Sequence, residues 1–138
     1  MNPVKTLNLL GTPAEILIDG AMSQGSCTLM LDLTPPGGGP PPHSHSREDE
    51  VFTVLEGEYE LLSEGQWVKV PVGEPVFGPR GHVHTFRNVG STPGKMAIFI
   101  SPAGIENFFE KLSGLSVPAD MARIEALFAE YGLSLHLS

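Results

Sequence analysis

Three side chains able to hold a metal, His43, His45 and Glu50, fall within the single run Pro40-Pro41-Pro42-His43-Ser44-His45-Ser46-Arg47-Glu48-Asp49-Glu50. Side chains of an extended segment alternate between faces, so His43 and His45 share one, with Cα atoms roughly 6.5 Å apart, near enough for both imidazoles to reach one ion. Glu50 lies an odd number of residues from each and would face away in a straight strand. The polar run Ser46 to Asp49 therefore predicts a turn or bulge, after which Glu50 opens a new strand and aims back at the histidines. A histidine pair at this spacing is more often a surface feature than a ligand pair, because a metal site needs ligand number and geometry. Further along, the stretch Gly73 to Asn88 offers a fourth candidate, with His82 and His84 both in it.

Taken together, the first stretch runs Gly37, five residues, His43-x-His45, four residues, Glu50, six residues, Gly57. The second runs Gly73, five, Pro79-x-Gly81, two, His84, three, Asn88, with fifteen residues between Gly57 and Gly73. Glycine and proline make up only about 7% and 5% of average sequences, so accidental agreement at so many fixed positions is improbable. These spacings resemble the two signature motifs of the cupin superfamily at every fixed position, and the short spacer is similar to that of small bacterial cupins. The resemblance implies a jelly-roll barrel holding one divalent transition metal on His43, His45, Glu50 and His84. A donor set of imidazoles and carboxylate without thiolate suits Mn, Fe, Co, Ni, Cu or Zn and does not choose among them.

The elements that must position these residues read as short strands separated by Gly/Pro turns, followed by two helices. Val4 to Leu10, Glu15 to Ile18, Cys27 to Leu33, Glu50 to Leu55, Tyr59 to Leu62, Gln66 to Val70, Pro75 to Phe77, His82 to Phe86 and Lys95 to Ser101 have strand character. Gly11-Thr12-Pro13 and Asp19-Gly20 read as turns, and Thr34 to Pro42 excludes helix, since proline removes backbone donors and glycine admits unusual dihedrals. Many short strands of this kind make a sandwich or barrel. The expected architecture is all-β, a double-stranded β-helix spanning about residues 1–101, with helices over about 102–132, in a single domain covering 1–138.

The period changes at Ser101-Pro102, which reads as an N-cap followed by proline at the first helical position. Ile105, Phe108, Phe109 and Leu112 then fall at i, i+3, i+4 and i+7. A second helix is predicted from near Pro118, with Asp120 in its first turn and Met121, Ile124, Leu127, Phe128 and Tyr131 buried, ending at Gly132. These stripes need cover. Packing on the outside of the barrel or on a partner is the expected arrangement, and capping of the metal cavity by the first helix is the alternative.

The chain's 138 residues, 41% apolar, suit one domain. A net charge of −8 with only eight Lys and Arg argues against nucleic acid or an anionic membrane as partner. The opening residues lack the charged and long apolar regions of a secretory signal, no apolar run approaches spanning length, and Cys27 has no second thiol to pair with, so a cytoplasmic location is expected. Strands apolar on both faces, such as Val51 to Leu55 and Met96 to Ile100, predict a homodimer.

A barrel of this kind holds its ligand inside. Phe52, Val54 and Phe86 share faces with Glu50 and His84 and are predicted to line the cavity, with Phe99, Phe77 and Met30 as further candidates and His82 placed near the metal or at an exposed mouth. Such walls fit a flat, oxygen-rich small molecule that chelates through adjacent oxygens. The run Arg47 to Gly57, the His84 to Asn88 strand and the exit through Ser101 to Gly104 resemble small cupins related to quercetin 2,3-dioxygenases. That resemblance implies metal-dependent oxidative ring opening of a flavonol, with Glu50 as catalytic base. Two other classes stay open: a non-oxidative isomerase or lyase using the ion as Lewis acid, and a module that binds a small molecule without chemistry.

Overall fold

The computed structural model describes residues 2–136. In chain order its elements are β1 (Lys5–Leu9), β2 (Thr12–Ile18), α1 (Gly20–Ser23), β3 (Thr28–Asp32), β4 (His43–His45), β5 (Asp49–Glu56), β6 (Tyr59–Ser63), β7 (Gln66–Val70), β8 (Val76–Gly78), β9 (Phe86–Asn88), β10 (Lys95–Ser101), α2 (Ile105–Leu112), α3 (Met121–Glu130) and β11 (Leu133–Leu135). Every strand pairing is antiparallel. One sheet runs β1-β2-β3-β10-β5-β8, a second β7-β6-β9, and β11 pairs with β4. This is the jelly-roll barrel with two short C-terminal helices that the sequence predicts. No helix among the described residues is long and apolar enough to cross a membrane.

Register across the large sheet stacks the inward side chains in three rows. Thr28, Ile100, Glu50 and Gly78 form one, Met30, Ile98, Phe52 and Val76 the next, and Asp32, Met96 and Val54 the third. Period-two alternation on β3, β5 and β10 produces the rows, because one face of each strand turns into the barrel. Each large apolar side chain buried there contributes about 1.5–3 kcal/mol relative to exposure. The carboxylates of Glu50 and Asp32 are the exceptions, one in each end row.

Several boundaries depart from the sequence expectation. The strand expected over His82 to Phe86 starts only at Phe86, because a turn closed by His82 N–H donating to the Pro79 carbonyl (3.2 Å) carries the chain outward first. The first turn falls at Leu10-Gly11, both at positive φ, so Thr12 and Pro13 already belong to β2. Ser101 does not cap a helix. It pairs with Asp49 as the last residue of β10, its hydroxyl donates to the Ser26 carbonyl (2.8 Å), and α2 begins at Ile105 after Gly104. Asp120 precedes α3, where its carboxylate accepts from the Ser116 N–H (2.9 Å).

The helices do not pack on the outside of the barrel as expected. Phe108, Phe109 and Leu112 from α2 and Met121, Ile124 and Phe128 from α3 line the same cavity as His43, His45 and Glu50. The anchor is β11, which sets Leu133 opposite His45 and Leu135 opposite His43. Further bonds run from Ser46 N–H to the Gly132 carbonyl and from His136 N–H to the Pro42 carbonyl, both 2.9 Å. Gly132 sits at φ +72°, and a Cβ there would collide with Ser46 Oγ, so the tight return from α3 into β11 requires glycine. The two helices cover part of each other's apolar stripes, Phe108 meeting Phe128 edge-on with ring centroids 5.1 Å apart, while Met121, expected to be buried, is exposed.

Candidate metal centre

The local backbone explains how His43, His45 and His84 come together. β4 and the segment before β9 run side by side, with His43 N–H donating to the His84 carbonyl (3.1 Å) and His84 N–H to the His43 carbonyl (2.9 Å). Gly81 N–H donates to the His45 carbonyl (2.7 Å), clamping the intervening turn against the same strand. At least one ring nitrogen from each imidazole lies within 4.8 Å of the others. Glu50 reaches them from β5 after the bend at Ser46-Arg47, placing Oε1 2.8 Å from His45 Nε2 and 3.7 Å from His84 Nε2.

Supporting groups fix which nitrogens face inward. His43 Nδ1 lies 2.8 Å from the Pro41 carbonyl, and since a carbonyl only accepts, the proton sits on Nδ1 and Nε2 is left as a lone-pair donor. His45 turns Nδ1 toward the buried carboxylate of Glu48 at 3.4 Å, leaving Nε2 for the site. Carboxylates behind a ligating imidazole orient the ring and raise its basicity. Gly78, opposite Glu50, makes room: a Cβ there would come within 2.9 Å of the Phe52 ring. Glu48 and Gly78 escape a reading of the sequence, Glu48 because it lies in the polar run assigned to a turn and Gly78 because its role is an absence of side chain.

Electrostatics at the site separate the three imidazoles. Burial, with the neighbouring imidazoles, pushes His43 down to about 4. Burial would lower His45 as well, but the carboxylates of Glu48 and Glu50 outweigh it and raise it to about 9. His84 is lowered, chiefly by burial. Burial would raise Glu50, yet its bond to His45 and the surrounding imidazoles hold it below the ordinary carboxylate range. Both ring nitrogens of His84 are buried without a hydrogen-bond partner. An unsatisfied buried polar atom costs about 1–3 kcal/mol, which coordination of an ion would recover, so these residues fit a metal.

The cavity that opens from this cluster has a volume of about 340 Å³. Phe52, Phe86 and Met30 line it. Val54 is fully buried but packs in the barrel core away from the cavity. Phe99 and Phe77 lie on the outer face of the sheet, opposite Val51 in the register, and are exposed. His82 is exposed on the turn and does not line the cavity. Among the lining residues there is no Lys or Arg; the only carboxylates are Glu50 and Asp32.

The family model for the cupin domain (Cupin_2) matches residues 30–101, just over half of the chain. The chain is a cupin. A germin-like protein of Mesembryanthemum crystallinum is 33% identical over 106 residues, covering 67% of this cupin and 45% of the relative. The polyketide cyclase RemF from Streptomyces resistomycificus is 29% identical, with a TM-score of 0.58, and the match covers 71% of this chain and 70% of that one. A predicted oxalate decarboxylase from Thermotoga maritima has the same fold, with a TM-score of 0.63 at 24% identity over 74% of this cupin and 93% of that chain. The cupin spans about half the length of the curated relatives it matches first. Its fold and its three clustered histidines mark a metal site.

Proposed function

We propose that this cupin is a metal-dependent enzyme acting on a flat, chelating aromatic small molecule, by oxidative ring opening of the quercetinase type with dioxygen as oxidant. The ligands are His43, His45, His84 and Glu50. The observation that carries the reading is a cluster of three imidazoles, His43, His45 and His84, of which His43 and His45 join Glu50 on the wall of a cavity also lined by Phe52, Phe86, Phe108, Phe109 and Phe128. A divalent transition metal held there supplies Lewis acidity and redox access to dioxygen. Glu50, with Oε1 facing the same point as the imidazoles, takes the proton of the chelating hydroxyl, while the phenylalanines exclude water and hold the rings. The relationship to a germin-like protein supports metal chemistry, and the relationship to a polyketide cyclase supports a polycyclic substrate. A small dianion is a poorer fit, because no Lys or Arg lines the cavity to receive its charge.

The test is oxygen uptake with a panel of flavonols and other chelating enols on protein loaded separately with Mn, Fe, Co, Ni and Cu. Stoichiometric uptake with at least one pairing is expected. Turnover without oxygen consumption would replace the reading by an isomerase or lyase, and no turnover at all by a binding module.

We also propose a homodimer through the outer face of the large sheet. Register aligns Phe77, Val51, Phe99 and Leu29 in one apolar row across four strands, with Phe77 62% and Phe99 42% exposed. A monomer by light scattering at micromolar concentration would overturn this assembly.

A further inference from the structure

Asp32 is a buried carboxyl for which the metal site has no use. It lies in the inward row of Met96 and Val54, four residues along β10 from the row that carries Glu50, or about 13 Å at the usual strand rise. It is 8% exposed, and it lines the cavity together with Leu9, Thr12 and Met30, in a lining that also includes the exposed residues Leu10, Val117 and Met121.

The surrounding hydrogen bonds run in one direction. Tyr59 O–H donates to Thr34 Oγ1 (2.7 Å), and Thr34 O–H donates to Asp32 Oδ1 (2.5 Å). Both hydroxyl protons are thereby committed, and Thr34 and Tyr59 are themselves fully buried. This holds one carboxyl oxygen in place. Among the described residues no side chain donates to Oδ2, although the carboxyl belongs to the cavity wall. Burial lifts the carboxyl to about 6, against the bond from Thr34, so the fold works against its charge. A purely structural role would be served by a group that completes its bonding within the protein, and Asp32 does not.

We infer that Asp32 is a specificity-determining residue whose free oxygen accepts a hydroxyl proton from the end of the substrate remote from the metal. The substrate class is thereby narrowed from a chelating aromatic to one that carries a phenolic hydroxyl on its far ring. This rests on the proposed function, since it takes the metal cluster as the site that chelates the near end.

The inference is tested by binding rather than turnover, on protein loaded with one equivalent of Ni²⁺ and kept anaerobic. Two probes are compared: a flavonol with no hydroxyl beyond its chelating one, and the same flavonol bearing a para hydroxyl on its phenyl ring. Wild type is expected to bind the second about 10- to 100-fold tighter, the range of a hydrogen bond to a charged acceptor. Asp32→Leu is expected to abolish that preference while still binding the plain flavonol, which also reports that the variant is folded. Should Asp32→Leu fail to bind the plain probe, Asp32→Asn, which keeps the shape and the bond from Thr34, is expected to cut the preference several-fold; an unchanged preference overturns the assignment. Equal affinity of wild type for the two probes overturns it too while leaving the chelation reading intact. If neither probe binds wild type, the chelating-aromatic reading falls, and the assignment with it.

Discussion

The two ends of the cavity hold charge in opposite ways. At the metal end, His43, His45, His84, Glu48 and Glu50 are packed within reach of one another, and each carboxylate faces an imidazole. At the far end Asp32 stands in a row with Met96 and Val54, and among the described residues the Thr34 hydroxyl is the only side chain that donates to it. The imidazoles around Glu50 hold it ionised against its burial, whereas the lone carboxyl is pushed toward its neutral form. Buried polar groups that compensate one another form a unit whose parts fail together. A buried carboxyl without compensation is a stability cost retained for something outside the fold.

The largest expected effect tests the metal end as a unit. If Glu50 is both ligand and base, Glu50→Gln compared with wild type at equal metal occupancy loses on the order of 10² to 10⁴ in turnover, the range general-base removal costs. Turnover within a few-fold of wild type would reduce Glu50 to a ligand and move proton removal to solvent or substrate. The comparison requires metal analysis of each assayed sample, because the substitution also weakens a ligand.

Next in size is an effect of opposite sign at the far end. The Asp32 carboxyl rises from 3.8 to about 6 on folding, so its contribution to stability is fully present below about pH 3.8 and is lost as pH rises through about 6. A shift of about two units corresponds to roughly 3 kcal/mol at neutral pH, at about 1.4 kcal/mol per unit. Asp32→Asn, which cannot ionise, is therefore expected to stabilise the protein by up to about 3 kcal/mol at pH 7.5, with the advantage fading between pH 6 and pH 4. Urea midpoints across that range measure it. An Asn variant less stable than wild type at pH 7.5 would show that the charge is compensated after all.

The contrast between the ends also sets what the sequence could reveal. His43, His45, Glu50 and His84 were legible because a shared ion fixes their spacing along two stretches of chain, and Phe52 follows Glu50 at strand period. Asp32 follows Met30 at strand period, but it looks like any polar residue closing a strand, and register with Met96 is what places it in an inward row. Phe99 misleads for a related reason: β10 is apolar on both faces, so alternation cannot say which face is inside. Val54 lies on the correct face, in the row of Asp32, but two strands across from it and off the cavity wall, a lateral difference that period-two reasoning does not contain. The lid was half legible. Helical stripes announce that α2 and α3 are covered, but what covers them is decided by β11, a three-residue strand pairing some ninety positions away with β4, and so short a strand leaves no pattern.

A third expectation probes how tightly the metal end is coupled. Glu48 touches no ion in this arrangement and acts through the His45 ring, so Glu48→Gln, which keeps the shape and loses the charge, is expected to weaken metal binding by about 10- to 100-fold. Competition against a chelator of known affinity measures the change. Unaltered affinity would mean that β4 and its partner β11 orient His45 without help.

The smallest effect concerns the lid, which forms a wall of the cavity between its two ends. Gly132 adopts φ +72°, a region that costs a residue with a Cβ about 1–2 kcal/mol, and the added methyl would meet Ser46 Oγ, with Arg47 Nε also only 3.0 Å away. Gly132→Ala should therefore loosen the pairing of β11 with β4 more than it disturbs the barrel, whose sheet bonds do not pass through this turn. The readout is amide hydrogen exchange. The His136 amide, which donates to the Pro42 carbonyl, and the Ser46 amide, which donates to Gly132 itself, should exchange about 5- to 30-fold faster, while amides of β3, β5 and β10 hold their protection. Parallel loss across the barrel would show that lid and barrel open as one cooperative unit.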